Sequence, residues 1–232
     1  MDLKYSFTFR RAIRIFIWLI IIELAFCAIY YTDFLCNEPN WRIHRLFDLD
    51  SEANIPSWFS TIQLFMIGLI AMLTAQSQHY KSPPSKQGLT FFGLGFMYLS
   101  LDEGASIHEK LTYVFHNNPW VPYFDGVHGI WIVVYGSIGI VVLLALHRDL
   151  WSICKTLRRE ALIFIVGMVI YLAGAGGAET ITYFYIDKTN PSVYAAEVIL
   201  EEFLEMFGSS ILFYSVLLAC IKKTELPPSS NR

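Results

Sequence analysis

The sequence predicts an all-α, polytopic membrane helix bundle, and three observations predict it. The 232-residue chain is 55% hydrophobic but only 16% charged. Its apolar residues gather into runs of about 20, long enough as helices to cross a hydrocarbon core of roughly 30 Å. Its Lys and Arg residues fall on alternating sides of those runs. Backbone groups in lipid must bond within their own segment, so such runs form helices rather than isolated strands.

Six spans are expected, at about residues 12–32, 57–75, 89–115, 126–146, 161–185 and 193–221. The first runs through FIWLIIIELAFCAIYY. Its basic flank, RRAIR, resembles that of a secretory leader, but the apolar run is too long for one. No small-residue cleavage pattern follows it, so a retained span is expected. The second begins after Pro56 and the third after Pro83-Pro84. The fourth contains IWIVVYGSIGIVVLLAL, the fifth the small-residue run GAGGA, and the sixth a series of glutamates. Residues 1–232 read as a single transmembrane domain without internal repeats. The short tail after Pro227-Pro228 is polar.

Sidedness follows from the basic residues. Lys4, Arg10, Arg11, Arg14, Lys81, Lys86, Arg148, Lys155, Arg158, Arg159, Lys222, Lys223 and Arg232 share one side of this topology. The other side holds Arg42, Arg45, Lys110 and Lys188. The positive-inside rule therefore places both termini in the cytoplasm, within a plasma or inner membrane. The same topology explains the basic residues without nucleic acid as a partner. Cys27, Cys36, Cys154 and Cys220 form no CxxC pair, so neither a disulfide framework nor a thiolate metal site is indicated. Phosphate-loop, dinucleotide, GxSxG and HExxH motifs are absent.

The functional signal lies in the acids and histidines. Ionisable groups inside a membrane cost about 2.5–3.5 kcal/mol each at a helix centre, so a chain keeps them for a purpose. At about 1.5 Å per residue, Glu179 stands roughly 27 Å up the fifth span. His128, Glu201 and Glu202 stand at a similar height, as do His108 and Glu109. Asp102, Glu103 and Glu205 lie about one to two turns deeper. Four spans thus place carboxylates or imidazoles in one outer-half layer.

Helical phase refines this picture. On a regular helix Asp102, Ser106 and Glu109 share a face, and His108 points away from it unless Gly104 introduces a bend. Glu197, Glu201 and Glu205 form an i, i+4, i+8 stripe of like charges, which repel unless cations or protons intervene. The glycines of GAGGA let helices approach closely and would bring Glu179 near a neighbouring backbone. Plain helix packing explains those glycines equally well. Glu23 stands alone in the first span and reads equally as a structural acid. Trp41, Trp58, Trp120 and Trp131 suit an aromatic belt. Asp48, Asp50 and Glu52 lack the glycine and terminal glutamate of a calcium loop.

Carboxylates and imidazoles on facing helices are the ingredients of a di-iron or di-manganese site, and a mononuclear zinc site is the other option. The expected ligands are Asp102, Glu109, His128, Glu201 and Glu205. Glu179 and Glu202 are the expected general bases. SLDEGASIHEK only approximates the Glu-x-x-His pattern of such bundles. The first expectation is therefore a metal-dependent enzyme using zinc, iron or manganese. It would act on a lipid or other amphipathic substrate from the non-cytoplasmic side, with membrane lipids as neighbours. This arrangement is similar in kind to the ceramidase-like superfamily of membrane hydrolases, which combine Ser, Asp and several His. The chain departs from that family in its missing late His pair and its smaller number of spans. The alternatives are a proton- or divalent-cation-coupled transporter and a non-catalytic assembly protein. Acids confined to one half of the bundle suit a one-sided site better than a route across.

Overall fold

The structure, a computed structural model, describes residues 8–37, 39–77, 84–115, 130–178, 180–181 and 190–225. The described residues are helical and contain no strand. In chain order the helices are α1 (Phe9–Leu35), α2 (Trp41–Phe47), α3 (Ile55–Gln76), α4 (Lys86–Ala105) and α5 (Ile107–Phe115). They continue with α6 (Ile130–Ala145), α7 (His147–Thr156), α8 (Arg158–Leu172) and α9 (Pro191–Glu225). A π-helical turn, Ala173–Ala178, extends α8.

Four segments are long and apolar enough to cross a membrane: Phe9–Leu35, Ile55–Gln76, Arg158–Ala178 and Pro191–Lys222. α6 and α7, which meet at 68°, make a fifth if the bent pair counts as one span. α4 carries Lys86, Asp102 and Glu103 and is not among these segments.

Local chemistry sets the helix ends. Asn54 accepts a hydrogen bond from Ser57 N–H and caps α3, with Pro56 in the first turn, where a missing N–H costs nothing. Ser85 caps α4 through Gly88 N–H. Asp149 of α7 reaches across to accept from Ser85 N–H at 2.6 Å and from its hydroxyl at 2.9 Å. The acidic loop has a structural use: Tyr194 O–H donates to Asp50 at 2.6 Å and ties that loop to α9.

Packing makes α9 the central post, in contact with α1, α3 and α8. Leu64 and Ile67 of α3, Phe96 of α4 and Leu212 of α9 form one buried cluster. Phe26, Leu49, Val198 and Met206 form another nearer the acidic loop. Glycines permit the closest approaches. A Cβ on Gly68 would stand 2.6 Å from the Gly93 carbonyl oxygen, so α3 and α4 touch backbone to backbone. α6 packs mainly on α5 and α7, and none of its residues is buried.

The expected continuous helix over 89–115 is not what forms. The chain breaks at Ser106, which adopts the left-handed conformation at φ 49°, ψ 47°. The Ser106 N–H closes the end of α4 on the Asp102 carbonyl. Lys110 donates to the Ala105 carbonyl at 2.6 Å, satisfying another of the acceptors that a helix C-terminus leaves open.

Candidate functional site

The break at Ser106 builds the most highly organised polar site among the described residues. Because α5 restarts there, the His108 N–H has no partner within its own first turn. Asp102 Oδ1 accepts from it at 2.8 Å, so a side chain of α4 caps α5. The same turn folds the imidazole back, and His108 Nδ1 lies 3.1 Å from Asp102 Oδ2. A carboxylate is an acceptor, so this contact assigns the proton to Nδ1 and leaves Nε2 as the nitrogen directed away from Asp102.

α6 completes the arrangement. Tyr135 O–H donates to Asp102 Oδ1 at 2.9 Å, and the Tyr98 and Tyr135 hydroxyls are 2.9 Å apart. Trp131 packs on the His108 ring with centroids 5.1 Å apart, and Tyr135 meets Trp131 edge-on at 5.8 Å. Asp102 is buried, while His108 retains partial exposure. The result is an imidazole fixed in orientation by a buried carboxylate that accepts three donors.

The break changes the expected direction of His108. His108 does not point away from Asp102, because the helix is not regular between them. Asp102, expected as a metal ligand, has its oxygens engaged by His108 N–H, His108 Nδ1 and Tyr135 O–H, an arrangement that orients His108.

The glutamates lie on the adjoining elements. Glu202 is within electrostatic reach of Glu103, Glu201, Glu52 and Asp50, and Glu205 of Glu103, Glu202, Glu201 and Glu52. Tyr171 of α8 is within similar reach of Glu205, Glu103, Asp102 and Glu202, so α4, α8 and α9 bring these acids toward one region. Gly174 explains part of this. A Cβ there would stand 2.8 Å from Glu205 Cγ and 2.9 Å from the Glu201 carbonyl oxygen. Glu201 and Glu205 are therefore the acids that the small-residue run approaches. Gly176 of that run meets nothing within 4 Å. The π-helical turn shifts the register here, a feature frequent at functional sites. Glu197 is buried, whereas Glu201, Glu202 and Glu205 are half-buried.

Glu179 and His128 lie outside the described residues, as does the Glu109 side chain. Among the described residues, no group of three or more His, Cys, Asp or Glu side chains is placed to hold a metal ion.

Tyr98 and Tyr135 escaped sequence reasoning because only ionisable groups were sorted by depth, and Trp131 was read only as part of an aromatic belt. A signal was present: Tyr98 and Asp102 are four apart on α4, and Trp131 and Tyr135 are four apart on α6.

No curated protein and no solved structure matches the chain. One family model does, described as a domain of unknown function (DUF8692), and its match runs over residues 13–221. An all-helical protein with several apolar helices long enough to cross a membrane, the chain belongs to that family.

Proposed function

We propose that the chain is a membrane-embedded enzyme acting on an amphipathic substrate, a lipid or quinone, from the outer half of a six-span bundle with cytoplasmic termini. One observation carries this reading: Asp102 and Tyr135 fix His108 so that one ring nitrogen is held and the other faces outward from the pair. An imidazole in that setting can accept a proton through Nε2 and return it, while Asp102 stabilises the charged ring. Glu202, surrounded by other acids, is the proposed second proton carrier, with Glu179 as the further candidate.

A divalent zinc, iron or manganese ion is proposed on the chemistry of the donors. When bound it would polarise a substrate oxygen or activate water. Its ligands would come from Glu201 and Glu205 together with Glu109 and His128. Asp102 would act behind His108.

The test uses the full chain reconstituted with a membrane lipid and quinone extract, with and without zinc, iron or manganese. Mass spectrometry follows the extract over time, and metal content is measured on the same samples. Wild type is expected to consume a species that His108→Gln leaves untouched. An extract unchanged by wild type under every metal condition would refute the enzyme reading.

A second reading, cation-coupled transport, is favoured by one observation. Glu23 is fully buried near the middle of α1, deeper than the outer acids. Uptake that depends on a cation gradient, without chemical change in the extract, would select it.

A further inference from the structure

Glu23 forms a second polar centre that the proposed chemistry does not use. It stands about 21 Å from one end of α1 and about 18 Å from the other, and it is 0% exposed. Gln63 of α3 and Ser210 of α9 meet it. Gln63 Nε2 donates to Glu23 Oε1 at 3.1 Å and to Ser210 Oγ at 2.7 Å. Ser210 O–H donates to the same Glu23 Oε1 at 2.5 Å.

The donors of this centre are thereby spent. Both amide hydrogens of Gln63 and the hydroxyl hydrogen of Ser210 are committed. Two oxygens, Glu23 Oε2 and Gln63 Oε1, are buried with no hydrogen-bond partner among the described residues. Ser60 Oγ, one turn from Gln63, and Ser209 Oγ, beside Ser210, are in the same condition. Their state is unlike that of Thr61 and Thr74 of α3, whose hydroxyls donate to carbonyls four residues back in their own helix.

Charge makes the same demand. Among the described residues, no Lys, Arg or His side chain is hydrogen-bonded to Glu23. A buried carboxylate without a counter-charge is expensive. A water molecule would supply donors without neutralising it. A divalent ion would leave an excess positive charge against a single acid. A proton on Glu23 would neutralise the acid but adds one donor, too few for the unpartnered oxygens of Glu23, Gln63, Ser60 and Ser209 together. A monovalent cation neutralises the acid and can meet several of them at once, since the donor set is wholly oxygen, the ligand type that hard cations take.

We infer that Glu23, Gln63 and Ser210 bind a monovalent cation, sodium, at the junction of α1, α3 and α9. The outer-half acids lie close to this site. Glu205 lies five residues before Ser210 on α9, and Cys27, one turn beyond Glu23 on α1, is within electrostatic reach of both Glu23 and Glu202. This site is independent of the His108 chemistry, so binding rather than turnover is its readout.

The test titrates the reconstituted full chain with radioactive sodium at fixed pH, with ionic strength held by choline chloride. Saturable, stoichiometric binding is expected for wild type and for Gly136→Ala, whose added methyl group meets nothing within 4 Å. Glu23→Gln should lower it to background, and Gln63→Leu should weaken it by roughly tenfold or more. The second variant leaves Glu23 in place and serves if the first does not fold. Absence of saturable sodium binding to wild type would overturn the inference, including the case in which Glu23 takes up only a proton. So would Glu23→Gln binding sodium like wild type.

Discussion

On the proposed enzyme reading, Asp102→Asn is expected to lower turnover by about 10²–10⁴-fold, the range contributed by a positioned acid–base group. The change preserves shape but not polarity. An Asn amide can still accept from His108 N–H and Tyr135 O–H through its one carbonyl oxygen. Its NH₂ group must then face His108 Nδ1, where the carboxylate had accepted. Two donors cannot share that contact, so the proton moves to Nε2 and the outward nitrogen no longer accepts. The assay is consumption of the species identified with wild type. Tyr135→Phe removes one donor to Asp102 and should cost much less. Equal losses in the two variants would mean that the whole cluster, not the tautomer, matters.

Gly208→Ala is expected to produce the largest loss of stability from one added methyl group. A Cβ at Gly208 would stand 2.5 Å from Tyr171 N, 2.7 Å from its Cα and 2.8 Å from its Cβ. These are largely backbone atoms, so α8 and α9 must separate for the methyl group to fit. Overpacking of this kind costs about 1–3 kcal/mol, occasionally more. The contact is with Tyr171, which is within electrostatic reach of Asp102, Glu103, Glu202 and Glu205, so the same change should also shift these acids relative to one another. Gly136→Ala is the control. Nothing lies within 4 Å of its Cβ position, and alanine is the better helix former by about 1 kcal/mol. Unfolding titrations in mixed detergent should show Gly208→Ala destabilised and Gly136→Ala unchanged or slightly stabilised. Equal stability of the two variants would mean that α8 and α9 do not pack at these positions.

Much of the fold was legible because lipid leaves the chain little choice. The apolar runs at 12–32, 57–75 and 193–221 appear as α1, α3 and α9, with ends displaced by a few residues. The expected start of the fifth span at Ala161 lies within α8, which begins at Arg158. The break at Ser106 was not legible. Serine is an unusual residue for the left-handed conformation, and its place is fixed by Asp102, which closes one helix and caps the next. Gly104 hinted at a bend, but it lies against Thr61 of α3, at 3.2 Å for an added Cβ, rather than at the turn itself.

The same reasoning explains what was visible of the site. Depth along a helix depends on rise alone, so the expectation of an outer-half layer, with Asp102, Glu103 and Glu205 about one to two turns deeper, needed no knowledge of neighbours. Direction depends on phase, and a single left-handed residue resets phase for everything after it. His108 was therefore misdirected. Glu23 was noticed but its site was not, because its partners Gln63 and Ser210 are 40 and 187 positions away in sequence and carry no charge.

The most direct test of the account is the tautomer of His108, read from the nitrogen shifts of the ring in protein labelled with ¹⁵N-histidine, with His108→Gln used to assign the signal. Neutral His108 is expected to carry its proton on Nδ1, and Asp102→Asn to move it to Nε2. A wild-type imidazole protonated at Nε2, or one whose tautomer is indifferent to Asp102→Asn, would contradict that assignment.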